Sequence, residues 1–493
     1  MSKTNLIYNV EDKPSWGKTF IFALQQLLAI LAATIAVPAI IGNGMSHSAA
    51  LFGAGVGTLV YLLLTKFKSP VFLGSSFAFI GSMLASFAGA LSLSQGYLGL
   101  IIGAVAAGLV YVVIALIVKF VGTNWINTLM PKIVIGPIVA IIGLSLAGNA
   151  IGDLLKGSYQ ISVSTEVTQV WETSEGLLAS FIPLPDGLFY GTGIVTNNVI
   201  TASPWISLIC GLTTLITTIV VSVYGKKMLK MIPFIIGILA GYVLASIFTL
   251  IGYLCDLDIL KVIDFTKFAN MEWVPTFTFT EAFKVFSASE GFANIGEFFT
   301  FLGVILVAYV PVAFVVFAEH IADHKNLSSI IDRDLLKEPG LHRTLLGDGL
   351  GSMAGAIFGG CPNTTYGESV GTVAISGNAS IRTIIVTALM AIVLSFIAPF
   401  STFLATIPSC VMGGVCIALY GFIAVSGLKM IQEVNLNDNR NLFVVSTILI
   451  SGIGGLTLSI GPVTLTAVAC SLILGIIINL ITHFKRNKLE ENK

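Results

Sequence analysis

Two short stretches decide the fold: Gly74-Ser75-Ser76-Phe77-Ala78-Phe79 and, most of the chain later, Asn363-Thr364-Thr365-Tyr366-Gly367-Glu368. Each runs glycine or amide, two small hydroxyl residues, an aromatic, then a small residue. Each interrupts an otherwise apolar segment with residues that form helix poorly and offer the backbone competing hydrogen bonds. A membrane segment broken in this way leaves free backbone N–H groups and a positive helix end at depth, which is tolerated only where they line a cavity or are buried in protein.

The surrounding chain makes the membrane setting plain. It has 493 residues, 55% hydrophobic and only 10% charged, with a mean hydropathy of +0.95. That leaves too little polar surface to coat a water-soluble globule, which excludes soluble enzymes and peripheral proteins. At about 20 apolar residues per span, apolar runs beginning near residues 19, 46, 71, 97, 132, 203, 230, 300, 344, 364, 381, 406, 440 and 463 give fourteen expected segments. The two broken stretches fall in segments three and ten. A second pair, Pro131-x-x-Val134-x-Gly136 and Pro408-x-x-Val411-x-Gly413, opens segments five and twelve. Both pairs match a segment with the one seven later. Seven is odd, so the halves insert with opposite orientation, the inverted repeat of many secondary transporters. The expected fold is an all-α polytopic membrane protein of fourteen segments in a 7+7 inverted repeat, with a short strand and half-helix in segments three and ten.

Charge fixes the expected orientation. Of 25 Lys and Arg, only Lys156, Lys261, Lys267 and Lys284 fall on the side opposite the termini, in two long loops. The positive-inside rule then makes both termini cytoplasmic. The polar stretch 1–18 lacks the apolar run of a signal peptide, so targeting is expected to rest with the first span. Net charge is zero, which gives no sign of a nucleic-acid partner. The six cysteines show no metal-ligand spacing and read as small buried hydrophobes. No HExxH, Walker or Asp-rich magnesium motif is present. The outer loops read as solvated, partly ordered segments rather than a domain.

Four carboxylates remain at apolar or border positions: Glu319, Asp323, Asp348 and Glu368. Glu319 follows the apolar run Pro311 to Ala318, and Asp323 lies one turn on, on the same helix face. Intramembrane acids are costly and mark solute or ion sites. Glu368 opens the half-helix of segment ten. His320 points to a different face and reads as packing or a second layer, and His324 reads as cytoplasmic. The residue of segment one that matches Glu319 is Ile30, so the repeat is pseudo-symmetric but its acids belong to one half.

At these residues the chain resembles a known family. Ala318-Glu319-His320, the stretch Asp334 to Arg343, Pro362 to Glu368 and Leu73 to Phe79 are similar to the nucleobase:cation symporter-2 (nucleobase/ascorbate transporter) family, in its bacterial uracil-permease branch. The resemblance implies fourteen helices, with core domain 19–122 and 300–400 (segments one to four and eight to eleven). It places the gate domain at 131–252 and 405–484 (five to seven and twelve to fourteen). Outer loops fall near 150–202 and at 253–299, and the cytoplasmic ends at 1–18 and 485–493. It implies that Glu319 and Glu368 accept hydrogen bonds from the base, that backbone at Phe77 and Gly367 contacts it, and that Tyr366 and Tyr420 line or border the site. Proton coupling would involve Glu319, Asp323 and His320, with Glu319 taking up a proton together with substrate and no other cofactor. The implied activity is uracil import across the bacterial cytoplasmic membrane, not an enzymatic reaction, with a homodimer through the gate domain as the implied assembly. A xanthine or purine permease of the same family, and sodium in place of the proton, are the alternatives. Departures from the family pattern are Gln25-Gln26, where Gln-His is usual, Ser369 and Ser376, where Asn and Thr are commoner, and Asp323, where a uracil member carries His.

Overall fold

The computed structural model describes residues 6–122, 124–171, 177–183, 189–226, 229–230, 232–287, 291–460 and 463–490. Lys3, Lys227 and Lys493, counted above for orientation, lie outside them. The chain is mostly helical. Its first half contains α1 (Trp16–Ile41), α2 (His47–Leu64), α3 (Ile80–Ala88), α4 (Leu93–Val121), α5 (Lys132–Ser145), α6 (Pro204–Tyr224) and α7 (Pro233–Leu254). The second half contains α8 (Ile295–Ile331), α9 (Leu341–Gly359), α10 (Gly367–Ser376), α11 (Ile381–Ser395), α12 (Ser409–Gln432), α13 (Asn439–Ile453) and α14 (Ala467–Glu490), with shorter helical turns between. Among the described residues, 8 helices are long and apolar enough to cross a membrane, or up to 9 if Ile381–Ser395 and Ala398–Thr406, bent by 84°, form one span. The chain is therefore a multi-pass membrane protein.

Other helices miss that measure for a physical reason. α9 carries Arg343 and Asp348 and is rich in glycine, because its neighbours are other helices. A Cβ at Gly57 of α2 would stand 2.6 Å from the Gly351 carbonyl of α9, so the two backbones touch and only glycine fits there.

The helices pack in two groups. α1, α2, α4, α8, α9 and α11 contact chiefly one another, as do α5, α6, α7, α12, α13 and α14, and contacts between the groups run through α1 and α8. Exposed ion pairs at the helix ends stay within a group: Lys68–Glu338 and Arg333–Glu11 in the first, Lys132–Glu433 in the second. Burial is deepest at the centre of the first group, where Ile30, Leu51, Tyr61, Tyr309 and Phe317 are fully covered.

The structure departs from an all-α chain in three places among the described residues, the smallest an antiparallel pair of short strands, Leu458–Ile460 and Val463–Leu465, before α14. Leu73–Ser75 (β1) and Asn363–Thr365 (β5) are paired strands, treated below. The long loop between α5 and α6, expected to be partly ordered, forms a three-stranded antiparallel sheet of Gln160–Trp171 (β2), Leu177–Pro183 (β3) and Phe189–Ile200 (β4), in the order β2-β4-β3. The reason is legible in the residues: Ile161, Val163, Thr165 and Val167 alternate with Ser162, Ser164, Glu166 and Thr168, the period of a strand in residues that favour it.

Candidate substrate cavity

β1 and β5 pair antiparallel, with Leu73 opposite Thr365, Gly74 opposite Thr364 and Ser75 opposite Asn363. The Ser76 N–H extends the pairing by donating to the Pro362 carbonyl at 2.9 Å. Each strand thereby satisfies part of its backbone with the other, which is what permits extended chain inside a membrane protein. Gly74 has no side chain, and the Tyr366 ring lies in the space a Cβ would take. The Tyr366 hydroxyl donates to the Ser75 carbonyl at 2.5 Å.

Each strand leads into a helix start. After β1 comes one 3-10 turn, Phe77–Phe79, and then α3; after β5, α10 begins at Gly367. The first N–H groups of a helix have no partner within it, so those at Phe77 and at Gly367 to Ser369 are donors at the ends of two opposed half-helices. Gly367 is exposed, and a Cβ built on it would meet nothing nearer than Asp323 Oδ1 at 3.9 Å. The backbone there lies open to a cavity.

That cavity has a volume of about 380 Å³ and is lined by Phe77, Glu319, Asp323, Tyr366, Gly367 and Glu368. Its size is within the range of small-molecule sites. Asp323 is held by Thr365, whose hydroxyl donates to Oδ2 at 2.9 Å, tying α8 to β5. Val139 of α5, Phe422 and Met430 of α12, Asn326 of α8, Ser222 of α6 and Lys230 also line the cavity. The cavity is therefore built between the two helix groups, with its acids on one of them.

Three residues named from the sequence stand off the cavity. Tyr420 does not line it; its ring packs edge-on behind Phe77, centroids 5.6 Å apart. His320 is fully buried and faces Asp348, with Nδ1 2.8 Å from Oδ2. His324, read as cytoplasmic, is buried as well, its Nε2 2.7 Å from the Tyr61 hydroxyl. The signal for this was its position one turn after His320 on the same face.

The sequence reading also missed how the departures from the family pattern fit together. Gln26 Nε2 of α1 donates to Ser369 Oγ of α10 at 2.7 Å, and Ser369 Oγ accepts from the Phe72 N–H at 3.0 Å. Two of the departures thus bond each other directly behind the half-helix.

The profile of the Permease family (Xan_ur_permease) matches residues 17–183 and 191–461, and the chain belongs to this family, the nucleobase:cation symporter-2 permeases. It is 35% identical to the uracil permease of Bacillus caldolyticus over 494 residues, covering 99% of this chain and 98% of that one. It is 33% identical to the uracil permease of Bacillus subtilis (strain 168), covering 98% and 96%. In fold it is similar to the transmembrane domain of a cyanobacterium bicarbonate transporter, BicA, with a TM-score of 0.57 at 15% identity over 95% of this chain and 96% of that one.

Proposed function

We propose that this chain imports uracil across the bacterial cytoplasmic membrane by proton symport with alternating access. The observation that carries this reading is the cavity itself, whose lining brings Glu319 and Glu368 together with the starts of two half-helices at Phe77 and Gly367. Uracil has two ring N–H donors and two carbonyl acceptors, so carboxylates and backbone amides complement it. The likeness to uracil permeases supports the same base.

In this reading the chain crosses the membrane fourteen times as a 7+7 inverted repeat, with both termini cytoplasmic. The helices of 19–122 and 300–400 act as the core domain that carries substrate, and those of 131–252 and 405–484 as the gate. The part of the cavity lined by Lys230 and Asn326 then faces the cytoplasm. Glu319 takes up a proton with the base, so that the loaded site carries one negative charge fewer as it moves past the gate; Asp323, held by Thr365, and His320 complete the coupling group. A homodimer formed through the gate would hold that domain still while the core moves.

The test is uptake of labelled uracil by the purified chain in proteoliposomes under imposed pH or sodium gradients. Accumulation driven by an inwardly directed proton gradient and competed by unlabelled uracil is the expected result. Competition by xanthine instead would leave the fold reading and replace the substrate, and accumulation that follows sodium alone would replace the coupling ion.

A further inference from the structure

Behind the paired strands, α2, α4, α8 and α9 enclose a second set of ionisable groups, none of which lines the substrate cavity. His320 Nδ1 is 2.8 Å from Asp348 Oδ2, and His320 Nε2 is 3.0 Å from Thr344 Oγ1. The Thr344 hydroxyl is also 3.0 Å from the Leu341 carbonyl, to which it can donate. All three side chains are buried. The other carboxylate oxygen, Asp348 Oδ1, and the Tyr111 hydroxyl are buried with no hydrogen-bond partner among the described residues. Both residues line a cavity of about 10 Å³, shared with Ser352, Asn363 and Thr364. That is about the room one water needs, and the walls offer the two to four polar partners it requires. Two orphaned polar atoms on one water-sized space would otherwise cost the fold the desolvation of each.

We propose that Asp348, His320 and Thr344, with a single water held between Asp348 and Tyr111, form a proton-binding site separate from the carboxylates of the substrate cavity. The hydrogen-bond geometry admits two end states. In one, Thr344 donates to His320 Nε2, His320 Nδ1–H donates to the ionised Asp348, and the site carries one negative charge. In the other, one proton has been added and the site is neutral. Asp348 Oδ2–H then donates to Nδ1, Nε2–H donates to Thr344, and the Thr344 hydroxyl turns to the Leu341 carbonyl. Every donor and acceptor among these side chains is satisfied in both states, because Thr344 has two acceptors within reach and the water serves Oδ1. The groups that face the pair are Tyr111 from α4, Tyr61 from α2, and His324, Glu319 and Asp323 from α8. The small cavity is also lined by Asn363 and Thr364 of β5, and Thr364 lines the substrate cavity as well. A proton bound here is therefore one strand away from the base.

The role in transport rests on the symport reading above; the proton site itself does not. Infrared difference spectra of the full chain in lipid vesicles, recorded across a pH series in H₂O and D₂O, read protonated carboxyl groups directly. The expected result is a carboxyl C=O band that is lost in Asp348→Asn, retained in Glu319→Gln, and displaced in frequency in Tyr111→Phe and Thr344→Val but not in Thr344→Ser. A spectrum of Asp348→Asn that keeps every carboxyl band of the native chain overturns the proposal. If Asp348→Asn does not fold, a band unmoved by both Tyr111→Phe and Thr344→Val does the same. In transport, Asp348→Asn is expected to exchange uracil across the membrane yet lose proton-driven accumulation. Native chain whose accumulation ignores the proton gradient would remove the symport reading and leave the spectra to decide the site.

Discussion

Gln26 Nε2 and Ser369 Oγ stand 2.7 Å apart, joining the first helix of the chain to the half-helix that carries Glu368. Ser369 also receives the Phe72 N–H, so one hydroxyl oxygen fastens α1, the approach to β1, and α10. In Ser369→Ala the Phe72 N–H would be left buried without an acceptor, a cost of about 1–3 kcal/mol, while the Gln26 amide would keep only its longer contact of 3.4 Å to the Ser369 carbonyl. Thermal unfolding of the detergent-solubilised chain should show Ser369→Ala destabilised and Gln26→Ala less so. The double variant should fall short of the sum by about 1 kcal/mol, the mark of a direct contact. Additive effects would contradict the contact.

Removing charge from the cavity tests the proposed contacts with the base. Glu368→Gln replaces a carboxylate acceptor by a neutral amide, whereas Glu319→Gln replaces a carboxyl that is neutral once it has taken up its proton. Hydrogen bonds to charged groups contribute about 1.5–3 kcal/mol, so uracil affinity measured by calorimetry should fall roughly 10- to 150-fold in Glu368→Gln and by less in Glu319→Gln. Unchanged affinity in both would move the binding site elsewhere. Glu319→Gln should in addition abolish proton-driven accumulation, whereas Glu368→Gln should leave the residual uptake sensitive to the proton gradient.

Glycines at the two strand units should respond differently to one added methyl. Gly74→Ala drives a Cβ into the Tyr366 ring, and overpacking of this kind costs about 1–3 kcal/mol. Gly367→Ala meets nothing closer than 3.9 Å and projects into the cavity. It should unfold at the native temperature while raising KM for uracil. Equal thermal shifts in the two variants would contradict this division.

The ion pairs at the helix ends give a pH dependence whose sign is fixed. Arg333 beside Glu11 and Lys68 beside Glu338 hold those carboxyls below their usual range, first through the hydrogen bond and then through charge. A depressed carboxyl contributes stability above its unfolded value, about 4.3, and that contribution is lost as pH falls through the folded value. Glu11→Gln and Glu338→Gln should therefore melt slightly below the native chain at pH 7, and the difference should vanish under acid conditions or in high salt. Both pairs are exposed, so the effect is small. A difference that grows as pH falls would reverse the assignment.

Much of this architecture is legible in the sequence, because the constraints of a membrane leave strong traces. The two hydroxyl-rich breaks announced extended chain in segments three and ten, and the structure pairs them as β1 and β5. Glu319 and Glu368 stood out because an acid after an apolar run is rare. Other features left no such trace. Hydropathy measures contact with lipid, so α9, covered by helices on its flanks, reads as marginal although it lies at the centre of its group. The depth of His324 left only a weak trace, its place one turn after His320 on the same face, because α8 runs for 37 residues and sequence alone does not say where along it burial ends. The three-stranded sheet was legible as a two-residue alternation, but loop composition outweighed it in the reading.

The pairing of β1 with β5 also constrains how the protein is made. The two strands are separated by most of the chain, and at about 5–20 residues per second of synthesis the first waits on the order of tens of seconds for the second to be translated. Until then Leu73–Ser75 has no strand to satisfy its backbone, so this segment cannot take its final place in the bilayer during insertion. It must be held in a provisional helix, at the interface, or against the insertion machinery. Neither half of the chain can mature alone, and the nascent protein commits to its structure only when Asn363–Thr365 emerges.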